Sequence, residues 1–494
     1  MNRISGDKRT QILGTSIIAI VLIRGVVAGF TPLSYDEAYY WMWTKHLASG
    51  YFDHPPLIAF VIRAGTALFG DTSVGVRFVP WLLSVAASWA VWRTGAMLLR
   101  NEYAGALAAL FFNLMPMIGV ESLAATPDAL EIAAAVFVLF TLAKIAESGH
   151  GVWWIATGIA AGFALLSKYA AFFLGAGILV WLAAVPKERH WFLSFWPYFG
   201  GAIALLMFLP VVLWNAQHGW ISLARQFGRV GEGGFTLRFL GEFLAAQLGL
   251  ATPFIAVLGT AGIFRIMRSR ETMRSPLALI AAMIAPAAVY FLWHSLHDRV
   301  QGNWPSFLYP AFAIAAAAAS MAAAETRASF LLRWSKRLAA PFAAAVLALI
   351  YAQALWGVIP QVRDPVSRLL AVNMDRVVAD IESLRMQTQA NAILTTSYAL
   401  TGWLSFYMPS HPPVVQVNER FRYLNEPPPP PSLFVGPLLY VTLTRNDQSA
   451  LLAERFLRVM PLAQIARSRN GATIDEYTIY SVEGLKGDPF DQGR

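Results

Sequence analysis

The chain has 494 residues, of which 57% are hydrophobic and only 14% charged, where an average soluble protein carries roughly a quarter charged residues. That composition, with a mean hydropathy of +0.51, excludes a disordered chain and a nucleic-acid-binding domain and speaks against a soluble enzyme. The net charge of +9 sits wholly in residues 1–357, which hold 25 basic and 16 acidic residues against 13 of each in residues 358–494, and the lack of cysteine removes thiol nucleophiles, disulfides and Cys-based metal sites.

A membrane-spanning helix needs about 20 mostly apolar residues. In chain order the runs that qualify are Gln11–Phe30, Val76–Leu98, Ala104–Val120 and Ala129–Ile145. The run from Val152 to Val185 is too long for one upright helix and reads as a tight pair of spans with Lys168 near the tip. Trp196–Trp214, Phe239–Phe264, Pro276–Trp293, Pro305–Ala324 and Leu338–Gly357 follow. About eleven transmembrane helices result. Lys and Arg gather on the cytoplasmic side of membrane proteins. With the N-terminus inside, cytoplasmic segments hold 16 basic residues and the opposite loops 7, which puts the tail after Gly357 outside. No small-residue cleavage site follows the first run, so a cleaved signal peptide is not expected.

The tail, residues 358–494, reads as a small extracytoplasmic α+β domain. Ala392–Thr396, Val414–Val417, Leu438–Thr444 and Thr478–Val482 look like strands, Asp375–Met386 and Ala450–Val459 like helices, and Pro427–Pro431 like a polyproline loop.

Chemistry is expected in the outer loops, residues 31–75, 121–128, 215–238 and 294–304. The densest cluster runs from Ser34-Tyr35-Asp36-Glu37-Ala38-Tyr39-Tyr40-Trp41 to Tyr51-Phe52-Asp53-His54-Pro55-Pro56. It predicts a short interfacial helix with Asp36 and Glu37 at its start, where acids also suit the helix dipole. Asp128 lies on the same side and has the alternative reading of an N-cap; Glu121 is a further acid nearby. The cations are Lys168, Arg225, Arg229, Arg238 and Arg299, with His54, His218, His294 and His297 in the same loops. A lysine inside an apolar run must reach water or a partner, and snorkelling to the headgroups is its plain alternative. No spacing matches a His-rich metal site. Carboxylates can orient or deprotonate an acceptor hydroxyl, and cations can stabilise a departing phosphate. With no P-loop or dinucleotide fingerprint, the donor must arrive by membrane. A sugar joined through phosphate to a lipid meets each requirement.

At this point the sequence resembles a known group. The first-loop motif, then Ala125-Thr126-Pro127-Asp128, Leu166-Ser167-Lys168-Tyr169, Trp214-Asn215-Ala216-Gln217-His218 and Gln301-Gly302-Asn303-Trp304-Pro305, run in order across residues 31–305. Together they resemble the bacterial family-39/83-type glycosyltransferases, the group that includes the lipid A aminoarabinose transferase and the protein O-mannosyltransferases. The resemblance implies a polytopic GT-C fold in the bacterial inner membrane, with residues 1–357 as catalytic domain and a periplasmic cavity as active site. It implies a polyprenyl-phosphate sugar donor, inversion at the anomeric carbon, and lipid A, lipopolysaccharide or another envelope molecule as acceptor. Asp36, Glu37 and Asp128 take the catalytic positions. Lys168, Arg229 and Arg299 become donor-phosphate ligands, and Tyr35, Tyr39, His54, His218 and Asn303 substrate contacts. No cofactor is required by this reading; a divalent metal, if used, would be shared by Asp36 and Asp128. Membrane lipids are partners and nucleic acid is not. A protein O-mannosyltransferase-type enzyme and a lipid or sugar flippase remain as alternatives, although the two halves of residues 1–357 show no internal repeat of the transporter kind.

Overall fold

A computed structural model describes residues 2–228, 233–323, 329–360 and 363–490. It divides into two compact units. The first comprises residues 1–26, 54–58 and 79–349; the second comprises residues 27–53, 59–78 and 350–494. The stretch after the first apolar run thus belongs with the tail, while the sequence drew one boundary at residue 357.

The first unit is helical. Among the described residues, five helices are long and apolar enough to cross a membrane: Lys8–Phe30, Ser73–Leu99, Pro127–Ser148, Phe195–Gln217 and Phe330–Trp356, of which the first, second and last run across a unit boundary. All but the largely buried Pro127–Ser148 expose large apolar side chains. Phe195, Leu206 and Leu213 on one helix are 67%, 68% and 53% exposed, a surface suited to lipid rather than water. Shorter apolar helices cover Trp153–Ser167, Ala278–His294 and Ser306–Ala322. Close approach is set by small residues. A Cβ on Gly158 would lie 2.1 Å from the Gly200 carbonyl oxygen, so Trp153–Ser167 and Phe195–Gln217 can meet only with glycine there.

Three expected spans are shaped differently. Phe239–Phe264 is no single rod: Arg238–Ala251 and Pro253–Arg268 meet at 104°. Thr252 adopts φ 66° and Pro253 opens the second helix, a position where the missing N–H costs nothing. Within Ala104–Val120 the first helix stops at Leu114, and a short one begins at Pro116, because proline cannot donate into the preceding turn. The long run from Val152 does break at Lys168, which is extended at φ −156°, ψ 143°, but the helix after it turns again by 113° into Pro186–Leu193.

In the second unit, a five-stranded sheet is formed by β1 (Ile393–Thr395), β2 (Val414–Gln416), β3 (Leu438–Leu443), β4 (Phe456–Arg469) and β5 (Ala472–Leu485), in the order β2-β1-β3-β5-β4. β1 pairs in parallel with β2 and β3, and β5 runs antiparallel to β3 and β4. Leu394, Val415, Leu438, Tyr440, Phe456 and Val482 lie in its core. Four strands fall where the sequence expected them, while β4 replaces the end of the expected helix Ala450–Val459, which stops at Arg455. β4 is an edge strand, where Pro461 is tolerated. Asn470 and Gly471, at φ 49° and 81°, turn it into β5, the signature of a two-residue hairpin. A helix unforeseen in the sequence, Tyr398–Tyr407, packs on Tyr35–Trp43. Gly402 permits this, since a Cβ there would lie 2.8 Å from the Tyr39 amide nitrogen.

Candidate functional site

The sequence-predicted residues fall into two groups, one in each unit. In the second unit, Ser34 caps the helix Tyr35–Trp43 with a complete capping box: its hydroxyl accepts from the Glu37 N–H, and Glu37 accepts from the Ser34 N–H. Glu37 is fully buried, and Arg77 grips it through both Nε and Nη2 at 2.6 Å. The remaining Arg77 N–H groups donate to the carbonyls of Ala28, Thr31 and Pro32 and to the Thr31 hydroxyl. Both Glu37 oxygens are therefore held in the scaffold, so its side chain fixes the helix start that carries Asp36.

Asp36 is half-buried. Its Oδ1 accepts a hydrogen bond of 3.2 Å from the Tyr398 hydroxyl. Tyr35 stands edge-on to Tyr398 and Trp403. Tyr39 is buried and donates to Asp53 at 3.0 Å; burial first, and the Asp53 charge second, push its phenol well above the ordinary range. Asp53 in turn accepts from Arg422 at 2.6 Å, and Arg422 also donates to Glu419 at 2.7 Å. The Arg422 guanidinium lies 4.6 Å from the centre of the Tyr398 ring, within cation–π range. Sequence reasoning missed Arg77, Tyr398 and Arg422. Only Arg77 had a local signal, as a charge at the head of an apolar run.

In the first unit, Asp128 and Lys168 form a buried ion pair of 2.6 Å, their side chains 8% and 11% exposed. Thr126, not Asp128, caps the helix Pro127–Ser148, which leaves the Asp128 carboxylate available for side chains. Its Oδ1 accepts from Lys168 Nζ, from Asn303 Nδ2 at 3.2 Å and from Ser306 Oγ at 3.3 Å. Lys168 therefore points to a carboxylate and does not snorkel. Glu121 accepts from Thr126 at 2.6 Å. Glu131, one turn beyond Asp128, is fully buried and neither of its oxygens has a hydrogen-bond partner.

Other expected contacts are engaged elsewhere. His218 stacks on Trp214 at 4.2 Å, with Nδ1 2.7 Å from the Trp214 carbonyl oxygen. Arg299 is 55% exposed and pairs with Glu242 at 2.9 Å. His54 is half-buried in the first unit. Arg229 lies outside the described residues. Among the described residues no three His, Asp or Glu side chains gather as a metal would need. The Asp128 partners are an ammonium, an amide and a hydroxyl, and Asp36 accepts from a phenol.

Residues 53–214 match the family described as dolichyl-phosphate-mannose-protein mannosyltransferase. The lipid A galacturonosyltransferase RgtD of Rhizobium johnstonii is 28% identical over 308 residues, which cover 61% of this chain and 63% of that protein. The match therefore spans less than two thirds of that relative. The crystal structure of ArnT from Cupriavidus metallidurans bound to undecaprenyl phosphate superimposes with a TM-score of 0.63 at 17% identity, covering 94% of this chain and 97% of that one. The oligosaccharyltransferase AglB of Archaeoglobus fulgidus, in complex with an inhibitory peptide and a dolichol-phosphate, gives 0.50 at 14% identity, covering 86% and 69%. The chain thus has a GT-C-like helical fold with a small C-terminal sheet, and it resembles the lipid A and protein glycosyltransferases of that fold.

Proposed function

We propose that the protein is an inverting glycosyltransferase that moves a sugar from a polyprenyl-phosphate carrier to lipid A or a related envelope acceptor, on the periplasmic side of the bacterial inner membrane. The observation that carries this reading is the Asp128–Lys168 pair with Asn303 and Ser306, a buried cation on one carboxylate oxygen, in a chain similar to RgtD. An ammonium held by one contact can turn to an incoming phosphate, while Asn303 and Ser306 keep donating to the Oδ1 it leaves. In the proposed reaction the acceptor oxygen attacks the anomeric carbon, the bond from that carbon to the phosphate oxygen breaks, and polyprenyl phosphate leaves with the electron pair. Lys168 neutralises the leaving group. Asp36 takes the proton of a hydroxyl acceptor; toward an acceptor that is already an anionic phosphate it orients and takes none. Arg229 and Arg299 remain assigned to the donor phosphate, and Tyr35, Tyr39, His54, His218 and Asn303 to substrate contacts.

The topology belongs to the same proposal: about eleven spans, the N-terminus in the cytoplasm and residues 358–494 in the periplasm. Supporting it are five long apolar helices, two bent pairs and the shorter apolar helices, with the excess of basic residues on the side assigned to the cytoplasm. The direct test supplies purified full-length protein with radiolabelled polyprenyl-phosphate galacturonic acid and lipid A. Label should pass to lipid A, and Lys168→Met should abolish transfer. Transfer to a serine-bearing peptide instead would favour the protein-modifying reading, which the match over residues 53–214 supports. Carrier that crosses vesicles with no transfer of label would make the protein a flippase.

A further inference from the structure

The helix Tyr398–Tyr407 belongs to the tail, yet its first residue touches Asp36, 362 positions earlier. We propose that Tyr398 is a positioning residue for Asp36: a hydroxyl lent by the tail that fixes the carboxylate through its Oδ1. The inference rests on the catalytic reading of Asp36 and gives the tail a part in turnover.

Three observations carry it. The first is the hydrogen bond itself, 3.2 Å from the phenol to Oδ1. The second is that the ring is clamped. Tyr35 meets it edge-on with centroids 6.2 Å apart, Tyr39 lies at 5.0 Å, and the Arg422 guanidinium covers it at 4.6 Å. Arg422 is itself fixed between Asp53 and Glu419. The third is the near approach of the two helices at Gly402, which admits no side chain. A ring held on several sides leaves its hydroxyl little freedom, and a carboxylate that accepts from it is pre-oriented at small entropic cost. Burial and the adjacent Asp36 charge keep the phenol protonated far above neutral pH, so it serves as donor throughout the working range. Among the described residues, the charged and titratable groups around the contact include Tyr35 and Tyr39 on the acid's own helix, Asp53 beside it, and Arg422 and Glu419 from the tail.

Tyr398→Phe removes the hydroxyl and keeps the ring with its contacts, so folding should hold. With polyprenyl-phosphate galacturonic acid as donor and lipid A as acceptor, kcat should fall by between roughly tenfold and a hundredfold, the range for a lost hydrogen bond to a charged group. The acceptor KM should stay within about twofold, because the residue touches the acid and not the substrate. The acid limb of the pH–rate profile should move to higher pH, because a carboxylate that loses a donor holds its proton more tightly. A loss of packing alone would not move that limb. In an Asp36→Asn background, Tyr398→Phe should add nothing. An unchanged kcat and acid limb, or a further loss in the Asp36→Asn background, overturns the proposal. Failure of the underlying reading shows separately, as full activity of Asp36→Asn by itself.

Discussion

Glu37–Arg77 and Asp128–Lys168 are both buried carboxylate–cation pairs, and they differ in how completely they are satisfied. In the first, the guanidinium binds both oxygens, and its other hydrogens go to three backbone carbonyls and a threonine hydroxyl. In the second, an ammonium meets one oxygen, with an amide and a hydroxyl on that same atom. The saturated pair has no room for a ligand and serves as a rivet. The single-contact pair keeps a cation that can change partners. Burial and charge alone would have put the two in one class; the count of satisfied hydrogens separates them.

The comparison breaks most readily at the rivet. Arg77→Met leaves Glu37 charged, buried and unmatched, and strips donors from three carbonyls. About 3–5 kcal/mol of stability should be lost, read as a large fall in melting temperature or as no folded protein. Adding Glu37→Gln should restore little, because the carbonyls stay unsatisfied. At the exchangeable pair the reverse is expected. Lys168→Met combined with Asp128→Asn should come back to within about 1 kcal/mol of the parent stability while transfer stays abolished. Full recovery of the Arg77→Met/Glu37→Gln protein, or an active Lys168→Met/Asp128→Asn protein, would erase the distinction.

Two smaller effects sharpen it. Glu426 is a tail carboxyl that burial raises to about 7, with Arg420 opposing. Between pH 4.5 and 7 the folded unit keeps a proton that the unfolded chain has released. Stability should therefore decline as pH rises through that window and be level above it, and Glu426→Gln should flatten the slope in pH-dependent melting. A slope that persists in the variant would assign the titration to another group. Smallest of all, Arg299→Ala removes an exposed pair with Glu242 and should leave the melting temperature essentially where it is. A clear fall in melting temperature would show that exposed pairs here behave like the buried ones.

Much of the helical body was legible because apolar runs report themselves locally. Lys168 also announced itself, since a lysine amid apolar residues must have a partner, and its break in the helix fell where expected. Asp128 was harder: its proline-preceded position reads as a cap until Thr126 is seen to take that role. The bend at Thr252 had a marker in Pro253, and β4 had one in Asn470-Gly471; the long apolar run and the helix-like composition outweighed them. Tyr398 and Arg422 could not be read at all. Their meaning comes from Asp36 and Asp53, 362 and 369 positions away, and nothing around them in the chain points there.

The second unit is assembled from residues 27–53 and 59–78 together with residues 350–494. During synthesis the early pieces emerge long before their counterpart exists. Loop-closure entropy of that length grows only slowly, so the delay is one of timing rather than of equilibrium. Until the last third of the polypeptide is made, the acid-bearing segment lacks its covering helix and its arginine. A nascent chain stopped before residue 350 should be cut by protease between Ser34 and Asp53, and the finished one resist; equal cleavage of both would mean that the segment takes its shape unaided. On that schedule Asp36 gains Tyr398, and Asp53 gains Arg422, only after residues 398–422 have been made.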